Sequence, residues 1–361
     1  MSRHPFLYAF TFCVLAAGLA AQGTQQQTGP VIIPKKQVQP AKPTAPPPPP
    51  PKQQKPQFSF SVNVPEVEIP VSVETKNGMF VPGLGAAQFA LYEDGVRQKI
   101  DKVAVTTDAP MTAVMLVEFR NGIIPVIYNA LQASYAFTDQ LQPQDWVALM
   151  TFDLKPTVVV DFTHDKNSIY AGLRSLQVAN YSEADLFDAL SDTIDRLDGV
   201  KGRKTLVLIA SGLNTFSHMN FDQLKKKISQ TQDITIFSVN MSWALEEYLD
   251  EMGMTGAAQM PLLQGANEMR YFASATGGRY YQPRFQGGFP DVFKDISADV
   301  RSQYMLSYVP TNKKLDGTER KVKVELVAPD GKPLQLVDPK GKKLKFALDY
   351  RDSYTARHVV E

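Results

Sequence analysis

Cysteine is nearly absent: the 361 residues contain one, Cys13, inside the apolar stretch at the N-terminus. A chain that loses that stretch has no thiol, so disulfides and cysteine-ligated metal are excluded as sources of stability or chemistry. Histidine is also scarce, with four residues (His4, His164, His218 and His358), and no His-Glu-x-x-His run is present. Ser211-Gly212 lacks the Gly-x-Ser-x-Gly elbow of a hydrolase. There is no glycine-rich phosphate loop, and Gly277-Gly278 and Gly287-Gly288 read as turns. Asp145, Asp153, Asp161 and Asp188 are scattered over strand and helix ends, where solvated charges and caps are the ordinary reading. Nothing here points to an enzyme, and a hydrolase of an unrecognised kind is the alternative. An excess of charge is missing too: the formal net charge is +1, which argues against nucleic acid as the main partner.

What is present begins with an export signal. Arg3 and His4 precede an apolar run from Pro5 to about Leu19, and Ala17, Gly18, Ala20 and Ala21 offer a cleavage point. The run is shorter than the ~20 apolar residues of a membrane span, so residues 1–21 read as a cleaved signal peptide rather than an anchor. No later segment is apolar enough to cross a bilayer, and the expected location is the periplasm or the cell surface. Residues 22–57 form a Pro/Gln/Lys-rich linker with five lysines and no acid. Such a segment cannot bury a core and predicts an extended tether. It reads as a spacer, or as a ligand for a proline-recognising or anionic partner.

Period-two alternation over Phe58–Val64 and Val67–Glu74 predicts strands, and Lys76-Asn-Gly78 a tight turn. A second hairpin is expected around Asp94-Gly95. Residues 58–108 therefore predict half of a small β-sandwich. Residues 109–302 alternate strand and helix. Strands are expected at 112–119, 145–152, 156–162, 204–210, 234–240 and 279–282, and helices near 124–140, 166–176, 185–198, 220–231, 265–276 and 290–303. This alternation predicts a mostly parallel sheet covered on both faces. The close spacing of Val147–Asp153 and Pro156–Phe162 predicts an antiparallel edge strand. Trp243–Gly265, rich in methionine, is expected as an excursion from a strand end that either packs down or offers an adaptable contact surface. Residues 303–361 return to strands, so both chain ends contribute to one sandwich, with the α/β unit inserted between them.

The run Thr112–Phe119 with its site loop, Leu186-Phe-Asp-Ala-Leu190 and Gly202–Thr215 resembles a von Willebrand factor type A (vWA) domain. With Phe89-Ala-Leu-Tyr-Glu-Asp-Gly95 before it and Tyr-x-Leu-x-Tyr-x-Pro at Tyr304–Pro310 after it, the order is similar to the secreted bacterial vWA-related family first recognised in acidobacteria. The likeness spans about residues 65–350. It implies a doubly wound α/β fold and non-catalytic protein binding, for adhesion or scaffolding, at the loop face of 118–124, 180–186, 211–218 and 243–264.

Most vWA domains hold a divalent cation through Asp-x-Ser-x-Ser, a Thr and an Asp, hard oxygens suited to Mg²⁺. On that pattern this chain carries Glu118, Arg120 and Gly122 in the first triplet, Ala184 at the Thr position and Ser211 at the Asp position. Only Glu118 and Ser211 still offer oxygen there, and Arg120 puts a cation where the metal belongs. The metal site is therefore read as degenerate and no cofactor is expected. Metal-dependent adhesion returns as an alternative if Asn121, Asp185 and Asn214 rebuild the site. Glu118, Arg120, Asn121, Asp185, Ser211 and Asn214 are the candidate ligand-binding residues. Arg120 either pairs with Glu118 or Asp185 and presents its remaining donors to an acidic group of a protein partner, or merely neutralises Glu118. A structural role in an envelope assembly, with an inert loop face, is the other reading.

Overall fold

A computed structural model describes residues 66–356, apart from 76–78, 107–109, 122–123, 177–180, 232, 338–340 and 342. The signal peptide, the linker, Phe58–Val64, the Lys76-Asn-Gly78 turn, Gly122 and His358 lie outside the described residues. In chain order, β1 (Val67–Thr75), β2 (Phe89–Glu93), β3 (Val96–Gln98) and β4 (Lys102–Thr106) come first. There follow β5 (Thr112–Glu118), α1 (Ile124–Asp139), β6 (Trp146–Phe152), β7 (Pro156–Thr163), α2 (Lys166–Ser175) and α3 (Leu186–Asp198). Next are β8 (Lys204–Ala210), α4 (Phe221–Gln230), β9 (Ile234–Asn240), α5 (Ser242–Glu251), α6 (Thr255–Ser274), β10 (Tyr280–Tyr281) and α7 (Phe289–Arg301). The chain closes with β11 (Gln303–Tyr308), β12 (Glu319–Leu326), β13 (Leu336–Val337), β14 (Lys343–Leu344), β15 (Phe346–Tyr350) and β16 (Ser353–Thr355).

The central sheet has the order β10-β9-β8-β5-β6-β7 and is parallel except for β7, which runs antiparallel to β6 at the edge. The strand sequences explain this. β8 (Lys-Thr-Leu-Val-Leu-Ile-Ala) is buried at every position, as a strand covered on both faces must be, whereas β7 has no buried position and sits outermost. Alternate residues of β5 feed two cores. Ala113, Met115 and Val117 meet Val126, Ala130 and Phe137 of α1 and Phe293 of α7. Val114 and Leu116 meet the opposite layer, built from α3, α4 and the second half of α6. In α3, Leu186, Leu190, Ile194 and Leu197 form the buried stripe, each contributing about 1.5–3 kcal/mol on burial. The excursion after β9 is helical: α5 and the first half of α6 occupy it, so α6 begins ten residues before the expected 265. Its Leu245 and Leu262 join the first core.

Two four-stranded sheets flank this unit in sequence, β15-β1-β11-β4 and β16-β12-β2-β3, each mixing strands from before and after the α/β insertion. Their shared core includes Val71, Val73, Leu91, Tyr304, Leu306 and Val324. The Tyr-x-Leu-x-Tyr motif works here. Tyr304 Oη donates to the Val81 carbonyl (2.5 Å) and accepts from the Leu84 amide (3.1 Å). Tyr308 and Tyr354 hydroxyls both donate to Glu93 Oε2, at 2.8 and 2.7 Å. The β2–β3 turn places Asp94 at φ 48° and Gly95 at φ 80°, the left-handed pair that a two-residue hairpin needs.

The two ends of the insertion are clamped by a buried ion pair. Asp145, expected as a solvated charge, is 2% exposed. Its Oδ1 accepts from the Met111 amide (2.9 Å) and Arg301 Nη1 (3.0 Å), and its Oδ2 from Arg301 Nη2 (2.6 Å) and the Gln142 amide (2.6 Å). Met111 is where the chain enters the sheet and Arg301 is the last residue of α7, so one carboxylate holds both. Burial works against the charged carboxyl, but Arg301 and the two amides outweigh it and hold it below the usual carboxylate range. Arg301→Met leaves that carboxylate buried without its counter-charge, and should lower unfolding stability by about 3–5 kcal/mol at pH 7. Because the folded-state value is depressed, the clamp contributes fully above the unfolded value of 3.8 and fades as pH falls through the folded one. Urea unfolding should therefore show the gap between wild type and variant narrowing at pH 3.

Candidate functional site

The carboxyl ends of the parallel strands carry the candidate site. β5 delivers Glu118 there, 1% exposed, and β8 delivers Ser211, 0% exposed. The Ser211 amide donates to Glu118 Oε2 at 2.6 Å, and the Ser211 hydroxyl donates to the same oxygen at 2.8 Å. Arg120 turns back on Glu118, its Nε 2.6 Å from Oε1, with 8% of the arginine side chain and none of the carboxylate exposed. Arg120 Nη1 donates to the Ser182 carbonyl at 2.9 Å, tying the β5 loop to the segment before α3. Glu118, Arg120 and Ser211 thus form one sealed network. The arginine turns inward: Nη2 is buried and has no hydrogen-bond partner, and the whole residue is 6% exposed.

The other three candidate residues take different places. Asn214 is a helix cap: its Oδ1 accepts from the Phe187 amide (3.3 Å) and the Ser217 hydroxyl (2.6 Å). Ser217 in turn accepts from the Phe187 and Asp188 amides, at 3.2 and 3.3 Å. The first turn of α3 is therefore capped from the loop after β8 and not by Asp185, whose side chain makes no cap bond. Asp185 is 3% exposed with Oδ1 unpartnered. Burial raises its carboxyl, Asp188 adds to the rise, and His218 opposes it. Asn121 is exposed, and its backbone N–H donates to the Tyr181 carbonyl at 2.5 Å.

Three further contacts, absent from the sequence reading, hold the loops. Ala184 and Thr215 clip the two loops together: the Ala184 amide donates to Thr215 Oγ1 and the Thr215 amide to the Ala184 carbonyl, both at 2.8 Å. Asp188 accepts from the His218 amide (2.8 Å) and the Met219 amide (2.9 Å) and faces His218 Nδ1 at 3.1 Å. Gly212, at φ +86°, lies against α6 so closely that a Cβ on Gly265 would stand 2.3 Å from the Gly212 carbonyl oxygen. Around this frame two aromatic side chains face solvent, Tyr181 at 45% and Phe216 at 66% exposure.

Chemically this donor set does not fit a divalent cation. Mg²⁺ takes an octahedral set of hard oxygens, with carboxylates free to ligate. Both Glu118 oxygens already accept hydrogen bonds, and a guanidinium stands 2.6 Å from one of them. Among the described residues no group of three or more His, Cys, Asp or Glu side chains converges on a point that would hold a metal.

No family model matches the chain, and no curated protein does. Solved structures do. A von Willebrand factor type A protein from Catenulispora acidiphila is 12% identical, with 83% of this chain and 75% of that one covered and a TM-score of 0.42. The vWF domain of the type V pili tip protein Mfa5 from Porphyromonas gingivalis is 11% identical over 54% of this chain and 95% of its own, with a TM-score of 0.39. BatB from Bacteroides thetaiotaomicron, described as a conserved hypothetical protein, is 13% identical over 53% of this chain and 100% of its own, with a TM-score of 0.35. Five parallel strands and one antiparallel edge strand, in the order given above and with helices on both faces, give the inserted unit a vWA-like fold.

Proposed function

We propose that this chain is an exported, non-catalytic protein-binding protein whose loop face works without a bound cation, an internal guanidinium standing in its place. The observation that carries the reading is the Glu118–Arg120 pair, with 2.6 Å between Nε and Oε1 and both side chains out of water. In that arrangement the loops are held in one conformation by covalent parts of the chain. Contact with a partner then falls to the surrounding exposed groups, with Tyr181 and Phe216 as anchors, since large aromatic side chains supply most of the energy at protein interfaces. The signal-like N-terminus and the absence of cysteine from the remaining chain support export, to the periplasm or the cell surface. Sequencing the N-terminus of the secreted form should give a start near residue 22.

Two experiments test the reading. A ligand that binds the folded state raises its melting temperature by mass action. Calorimetric titration with Mg²⁺, Mn²⁺ and Ca²⁺ should give no heat, and chelator should leave the melting temperature unchanged. Binding near one ion per chain would replace this reading with metal-dependent adhesion. Arg120→Met should cost about 3–5 kcal/mol in denaturant unfolding, because Glu118 is left buried and unpaired, and adding Glu118→Gln should recover much of the loss. Partner capture from envelope extracts should survive chelator and fall at least about tenfold in the Tyr181→Ser/Phe216→Ser variant, the effect of losing one or two contacts of ordinary hot-spot size. Capture unchanged by that variant would favour a structural envelope component with an inert loop face.

A further inference from the structure

Beside the loop face, between the start of α4 and the middle of α6, lies a groove of about 690 Å³. Its walls are apolar: Phe221, Met260 and Leu263 line it, and Met260 and Leu263 are 74% and 56% exposed. Its polar lining comes from Gln264, Asn267 and Glu268. Glu268 is 7% exposed, yet it opens on this groove. Gln264 Nε2 donates to its Oε1 at 2.8 Å, and among the described residues no cation pairs with it. The cations nearest along the two helices are engaged elsewhere. Arg270 donates to Asn267 at 2.8 Å and lies over the Tyr280 ring at 4.7 Å, and Lys225 lies over Tyr271 at 5.2 Å. Burial raises the Glu268 carboxyl, with the Gln264 hydrogen bond only partly offsetting it.

A carboxylate at the base of an apolar groove, bonded by a neutral amide alone, is costly in the free protein. It is relieved by a cation that arrives with an apolar stem. Lysine and arginine side chains have that composition, with methylene groups that lie along apolar walls and a charged head that pairs with a carboxylate. The wall residues suit the stem. Met260 is unbranched and adaptable, Leu263 stands at the rim, and Phe221 presents a ring on which a guanidinium can stack.

We propose that this groove docks a segment of a partner protein that inserts one Arg or Lys between Phe221, Met260 and Leu263 and seats its charged head on Glu268. The proposal does not rest on the Glu118–Arg120 site, and its test leaves that site untouched. The probes are a short acetylated and amidated peptide with a central arginine among leucines, and the same peptide with citrulline, the uncharged isostere, in place of arginine. Calorimetry on the full chain should show the arginine peptide binding at least about tenfold more tightly, the effect expected of one charge-assisted pair. Glu268→Gln should abolish that discrimination while holding or raising the melting temperature, since it removes a buried charge and keeps the Gln264 contact. Leu263→Ser, at an exposed position, should weaken both peptides alike. The proposal is overturned if neither peptide binds, if the two bind equally to the wild type, or if the preference survives Glu268→Gln. A fall of several degrees in the melting temperature of Glu268→Gln would assign the carboxylate a structural role and overturn it as well.

Discussion

A sheet covered on both faces takes the ends of its strands out of water, and any charge placed there has to be neutralised from within. At the carboxyl end of β5 that charge is Glu118, answered by Arg120 and by the amide and hydroxyl of Ser211. At the opposite end it is Asp145, answered by Arg301 and the amides of Met111 and Gln142. In the sandwich the buried Glu93 has no such counter-charge among the described residues and is held by the neutral hydroxyls of Tyr308 and Tyr354. Apolar replacements of equal volume often match or exceed the stability of such buried pairs, so their use lies in what they join. Asp145 fixes where the chain enters and leaves the inserted unit. Glu118 fixes the loop after β5 to the loop after β8, and Arg120 extends the tie to Ser182, ahead of α3. Three segments distant in sequence are thus tied together through one buried ion pair, the loop after β8 by Glu118 and the segment before α3 by Arg120.

The architecture was legible because burial on both faces writes itself into sequence. The unbroken apolar runs of β5 and β8 can belong only to central strands, and the polar-studded Pro156–Thr163 only to an edge. Glu118 and Arg120 were legible as a pair because they are two residues apart on a strand end, close enough to meet without knowledge of the rest. The capping role of Asn214 was hidden for the converse reason. It looks like a spare oxygen in a loop, and only the packing of α3 against that loop makes it the helix cap. Asp145 and Arg301 are 156 residues apart, and no local pattern connects them. The helices after β9 were obscured by their own residues. Gly253, Gly256 and Pro261 punctuate the segment, and Pro261 removes a backbone donor from within α6. Burial of Leu245 and Leu262 in the first core outweighs those local penalties.

The buried acids that lack such an answer separate by what surrounds them. Asp299, wholly buried in α7, has its carboxyl pushed up to about 7 by burial, with Arg279 opposing. Arg279 also bonds Glu74 and Asp349, so these acids share one cation across the junction of the inserted unit with β1 and β15. Asp185 lies at the N-terminus of α3, where the helix dipole favours a negative charge even without a cap bond. Glu268 has neither form of help. It sits in the second turn from the C-terminal end of α6, far from the helix N-terminus that favours a negative charge, with a neutral amide as its partner. Asp299 has no exposed surface, whereas Glu268 opens on a groove. A cost that the fold itself does not relieve, placed where another molecule can relieve it, is the physical form of a binding site. Gly212 and Gly265 place that groove against the loop face, since their backbones touch where any side chain would hold them apart. The same close contact lets α6 pack down beside the loop after β8, so that the Glu268 carboxylate lies on a helix whose place is fixed by the site loop and not by a partner of its own.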